Sequence, residues 1–62
     1  MIYEPLKGTN FRQAVRDLKE LLTYEEKSYE TLRFNDIDVT VSVDSNEDDI
    51  AVIYELKRQL NK

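Results

Sequence analysis

Leu32-Arg33-Phe34-Asn35-Asp36-Ile37-Asp38-Val39-Thr40-Val41-Ser42-Val43 alternates apolar and polar side chains on both sides of an Asn-Asp pair, and that alternation decides the fold. A period of two belongs to half-buried strands, whose successive side chains point to opposite faces. Asn and Asp both tolerate the positive φ that the two central residues of a type I′ hairpin turn require, so Asn35-Asp36 is the predicted turn. It sets a register: Phe34 opposite Ile37, Arg33 opposite Asp38, Leu32 opposite Val39, Thr31 opposite Thr40 and Tyr29 opposite Ser42. The apolar pairs then share one face, while charged and hydroxyl pairs share the other. A slip of one residue would turn the apolar set to water, so this register is strongly specified.

Upstream of the hairpin the period changes to that of a helix. Asn10 followed by Gln13 resembles a capping box, and Phe11, Ala14, Val15, Leu18, Leu21 and Leu22 recur at helical spacing, predicting an amphipathic helix over residues 11–22. Thr23-Tyr24-Glu25-Glu26 reads as a turn or one extra helical turn. Gly8-Thr9 is a loop, and Ile2-Tyr3 suggests a short edge strand, where Pro5 is tolerable because no central ladder needs its missing donor.

Downstream, residues 44–49 read Asp-Ser-Asn-Glu-Asp-Asp, where the strand pattern ends and a second helical pattern begins. Ser45 or Asn46 is the expected cap of a helix running to about Leu60, with acids in its first turn and Lys57 and Arg58 near its end, both matched to the helix dipole. On this helix Ile50, Val52, Ile53, Leu56 and Leu60 fill a broad apolar arc with Tyr54 just outside it. An arc that wide calls for two neighbours, the hairpin and either the first helix or a partner chain. The expected fold is therefore α+β: a β-α-β-β-α domain (α-β-β-α if the first strand fails), with two helices packed on one face of an antiparallel hairpin or a small three-stranded sheet. Residues 1–62 read as a single domain.

At 62 residues the core is small, burying only about 60% of the surface of the unfolded chain. No Cys is present for a disulfide and no Cys or His for a zinc site, so oligomerisation is the remaining way to stabilise such a chain, and a homodimer is expected. Nine basic against thirteen acidic residues give a net charge of -4, the wrong sign for a protein whose main role is to coat nucleic acid. No apolar run approaches the ~20 residues of a membrane helix, and residues 1–6 lack the pattern of a signal peptide, so the expected setting is cytoplasmic, without membrane contact.

Three constellations could carry function. Asp44, Asn46, Asp48 and Glu55 stand at positions 1, 3, 5 and 12 of a calcium-loop pattern. Position 6, which needs Gly, is Asp49, and a helix starting there would carry Glu55 away from Asp44, so neither calcium nor another metal is expected. Asp44, Glu47, Asp48 and Asp49 instead form an acidic patch suited to a basic partner. Second, Arg12, Arg16 and Lys19 share one face of the first helix, a basic stripe able to contact phosphates or a protein partner. The stripe and the patch could also meet each other, within the chain or across a two-fold axis. Third, Tyr54, taken as exposed at the edge of the last helix's arc, is a candidate interface residue.

Catalysis finds no support in these residues. Without His or Cys the usual general base and thiol nucleophile are missing, and no Ser or Thr has an evident activating partner. No catalytic residue and no cofactor is expected. The function expected from the sequence is a non-enzymatic interaction or regulatory protein that binds protein and self-associates. Its rivals are a nucleic-acid-binding regulator using the basic stripe, and an acidic inhibitor that occupies a nucleic-acid-binding cleft through Asp36, Asp38 and the acidic patch.

Overall fold

The computed structural model describes residues 2–60. In chain order it contains β1 (Ile2–Tyr3), α1 (Phe11–Tyr24), β2 (Tyr29–Phe34), β3 (Ile37–Ser42) and α2 (Glu47–Leu60), an α+β arrangement of two helices and a three-stranded sheet. The strands lie in the order β1-β2-β3. The hairpin pairs antiparallel in the register that its alternation dictates, from Phe34 opposite Ile37 to Tyr29 opposite Ser42. Asn35 and Asp36 take φ of 52° and 65°, the left-handed pair of a type I′ turn. β1 joins β2 in parallel, with Ile2 opposite Thr31 and Tyr3 opposite Leu32, so the sheet is mixed rather than wholly antiparallel. The physical reason is the connection: α1 crosses over the sheet between the two strands and returns the chain in its original direction.

The cap that starts α1 is Asn10, extended at φ -77° and ψ 161°, whose Oδ1 accepts from the Gln13 amide at 2.8 Å. Ala14, Val15, Leu18 and Leu22 are the buried face. The helix runs two residues past the apolar pattern because its end is closed by backbone geometry. Lys27 N–H donates to the Leu22 carbonyl at 2.9 Å and Glu26 N–H to that of Thr23 at 3.3 Å, with Glu26 at φ 56°. That pair of bonds is a Schellman closure, with Glu where Gly is usual.

Side chains from α1, β2, β3 and α2 meet in one core: Ala14, Val15, Leu18, Leu22, Leu32, Ile37, Val39, Val41, Ile50 and Tyr54. The inward residues of the hairpin are those its period-two pattern selects, and both helices pack on that face. No helix among the described residues is long and apolar enough to cross a membrane.

α2 departs from its expected orientation. Asn46 caps it, its Oδ1 accepting from the Asp48 amide at 2.7 Å, while the Ser45 Oγ accepts from the Ser42 amide at 3.0 Å and so ties off the end of β3. Of the broad apolar arc only Ile50 reaches the core, joined by Tyr54, whereas Val52, Ile53, Leu56 and Leu60 are 59%, 43%, 57% and 84% exposed. The helix is rotated so that the Tyr54 ring, rather than the aliphatic stripe, enters the interior. That ring stacks on Phe11 with centroids 4.4 Å apart and meets Phe34 edge-on at 5.6 Å, and Phe11 and Phe34 are themselves edge-on at 5.4 Å. Three mutually packed aromatic rings in stacked and edge-on arrangement attract one another beyond the area they bury, which favours this rotation.

Candidate functional site

Helical periodicity puts Arg12 and Arg16 one turn apart on α1, facing the first turn of α2, where the cap at Asn46 turns Glu47 and Asp48 toward them. Arg16 grips Glu47 with two bonds, Nε to Oε1 at 2.9 Å and Nη2 to Oε2 at 3.4 Å, and Arg12 donates to the Asp48 carboxylate. The basic stripe and the acidic patch thus meet within the chain. The hydrogen bond from Arg16 holds the Glu47 carboxyl below its usual value; partial desolvation opposes that, and the charges of Arg16, Lys19 and Arg12 reinforce it. The same contact raises the Arg16 guanidinium. Lys19 is half-buried beside this seam, and Asp44 and Asp49 are exposed next to it.

With Arg12 and Arg16 engaged by carboxylates, the surface is electrically subdued where the sequence alone suggested two opposed charged faces. A phosphate contact by Arg16 would have to displace a bidentate carboxylate. Across the hairpin the pattern repeats: Arg33 donates to Asp38 at 2.9 and 3.2 Å, which lowers the Asp38 carboxyl, and its Nη1 lies 3.6 Å from a Glu4 oxygen. The calcium-like spacing has its groups in other use, since Asn46 caps α2, Asp48 pairs with Arg12, and Glu55 sits in α2 beside Arg58. Among the described residues no three His, Cys, Asp or Glu side chains converge as they would around a metal ion.

Tyr54, expected from the sequence to be an exposed interface residue, is instead only 6% exposed, and its hydroxyl accepts from the Asn35 Nδ2 at 3.1 Å. Tyr54 therefore fastens α2 to the hairpin turn. The residues it displaces make the surface instead: Val52, Leu56 and Leu60 recur every fourth position with Ile53 beside them, a stripe spanning roughly 100° of the helix. In sequence these residues read as core because they outnumber the alternative face. What marks the alternative is the i, i+4 pair Ile50 and Tyr54, together with acids that must turn toward Arg12 and Arg16.

Concavities are shallow. One of about 390 Å³ is an open depression between the loop after β1 and the hairpin turn, bordered by Glu4, Lys7, Arg33 and Asp36. No Asp, Glu, Lys or Arg side chain is buried among the described residues. No family model, curated protein or solved structure matches this chain.

Proposed function

We propose that this is a non-enzymatic protein that acts by binding protein, itself included, through the outer face of α2. The observation that carries the reading is the stripe of Val52, Ile53, Leu56 and Leu60, four large aliphatic side chains left in water along one face of a helix whose other side supplies the core. Scattered exposed apolar residues need no explanation, but a contiguous patch of this kind marks an interaction surface. The ion-paired seam supports the same reading from the other direction. By occupying Arg12, Arg16, Glu47 and Asp48 internally, it weakens the case for a nucleic-acid regulator or an acidic inhibitor. A reducing, cytoplasmic setting goes with this proposal, since the chain has no Cys to gain from oxidation.

Sedimentation equilibrium over a wide concentration range tests it. The expected result is a mass that rises reversibly from monomer with concentration and is little changed by salt, because an apolar contact is not screened. A monomer at every concentration, in both low and high salt, refutes self-association.

A further inference from the structure

α2 has two apolar faces that point in different directions. Ile50 and Tyr54 define the inner one and Val52, Ile53, Leu56 and Leu60 the outer one, with centres roughly 125° apart around the helix. α1 does not cover the outer face, because Glu47 and Asp48 hold it on the other side of α2. At about 100° per residue, Asp49 falls on the centre line of the outer face, one turn before Val52 and Ile53. Asp49, Ile53, Leu56 and Leu60 are thus spaced four, three and four residues apart, as along the seam of a coiled coil. The complement of such a seam is another helix, whose side chains enter the holes between those of α2.

A strand is the poorer occupant of this side of the molecule. The neighbouring edge of β3 is stoppered by the chain itself. Lys57 sends its Nζ to the Asp38 carbonyl at 2.8 Å, and Ser45 occupies Ser42 twice, its Oγ accepting from the Ser42 amide and its own amide donating to the Ser42 carbonyl. Self-capped edges of this kind discourage strand addition.

Asp49 is the one charge in the seam. Its carboxylate is exposed and engaged by no described residue, whereas Glu47 and Asp48 beside it are taken by Arg16 and Arg12. Those two already set acids against the positive end of the helix dipole, so that end does not require a third in line with the apolar stripe. On the flanks of the face Gln59 is neutral and Lys57 is turned to the hairpin. The free charge offered with the stripe is therefore a single acid at its N-terminal end.

We infer that the outer face of α2 docks a helix of a different protein, antiparallel to α2, with an aliphatic stripe of about three turns and a Lys or Arg in its last turn to meet Asp49. This rests on the reading that the outer face binds protein. The antiparallel sense follows from the partner's own dipole, which favours a cation in its C-terminal turn and so brings that turn to the N-terminal end of α2. A second copy fits less well. Parallel pairing sets Asp49 against Asp49, and antiparallel pairing about Leu56 leaves each Asp49 past the end of the other α2, unmatched. Self-association is then the weaker use of this face, and Asp49 selects against it. Taken as fractions of ordinary residue areas, the four exposed side chains offer on the order of 400 Å², so two matched stripes bury about 800 Å², the size of an exchangeable contact rather than a permanent one.

Two synthetic helices of about 16 residues test this, built on Ala and Gln with Leu at the seam spacing, one with Lys in its last turn and its twin with Glu there. In low-salt NMR titrations of the isotope-labelled protein, the Lys peptide should move the amides of Asp49 and of residues 52–60 and bind about 10-fold tighter than its twin. Asp49→Asn should bring the two affinities together, and Asp49→Lys should reverse their order. Leu56→Glu should abolish binding of both with circular dichroism unchanged, since Leu56 is 57% exposed, and Tyr24→Glu, at an 87% exposed position on α1, should change nothing. Equal affinity of the twins for the wild type, a preference that survives Asp49→Asn, or a complex that sediments with two copies of this chain overturns the inference while protein binding by this face stands. Neither peptide moving α2 at millimolar concentration overturns both.

Discussion

Tyr54 is the residue whose burial most changes the picture, and two substitutions measure what it does. Tyr54→Phe keeps the ring between Phe11 and Phe34 and removes only the hydroxyl that accepts from Asn35 at 3.1 Å. A hydrogen bond of that kind contributes about 0.5–1.5 kcal/mol net. In a domain this small each kcal/mol moves Tm by roughly 4–8 °C, so the Phe variant should melt within about ten degrees of the wild type. Tyr54→Ala removes the ring itself from a site 6% exposed, which costs about 3–5 kcal/mol for a large aromatic. A chain of 62 residues has only about 3–9 kcal/mol of stability to lose, so this variant should lose from about a third to all of it and show a clearly lower urea midpoint. Urea titrations followed by circular dichroism, at a concentration where the wild type is monomeric, separate folding from association. An Ala variant with the wild-type midpoint, or one that folds normally and merely fails to associate, would return Tyr54 to the surface and refute this account of α2's rotation.

Other expectations follow from single features. Glu26 closes α1 at φ 56°, where a non-Gly residue costs about 1–2 kcal/mol, so Glu26→Gly should raise the thermal midpoint, an effect calorimetry would resolve. Asp36→Gly should stabilise as well, since Asn-Gly is the preferred type I′ pair, whereas Asn35→Gly should gain less because it also deletes the bond to Tyr54. Arg16→Glu should lower the thermal midpoint slightly at low salt, with the difference closing at high salt and on adding Glu47→Arg; a loss independent of salt would mean the pair is not what matters. The carboxyls of Glu47 and Asp38 titrate below their unfolded values, so each unfolded chain binds protons more readily than the folded one. Their stabilisation is complete above the ordinary carboxylate range and is lost as pH falls through the folded values. Glu47→Gln should flatten that part of the acid limb in pH-dependent unfolding.

The hairpin, its register and its turn were legible because alternation and turn chemistry are local: Asn35, Asp36 and their neighbours carry all the information that pairs Leu32 with Val39. The caps were legible for the same reason, Asn10 and Asn46 each reaching a backbone amide two or three residues on. The parallel addition of β1 was not, since a strand of two residues has too little pattern to show its direction, which the crossover through α1 decides. Nor was the closure of α1 at Glu26, where backbone geometry overrides the usual preference for Gly.

The candidate site divides along the same line. Sequence by itself determined which residues carry charge and which are apolar, and therefore that Arg12 and Arg16 form a stripe, that residues 44–49 are acidic, and that α2 has more apolar surface than one neighbour can cover. Only the tertiary structure decided which of those groups meet. A helix can satisfy its pattern at several rotations about its own axis, and the choice is made by distant partners: Phe11 and Phe34 admit Tyr54, while Arg12 and Arg16 draw Asp48 and Glu47 toward α1. That rotation takes Tyr54 out of the surface and puts Val52, Ile53, Leu56 and Leu60 into it, because the faces of one rigid helix turn together.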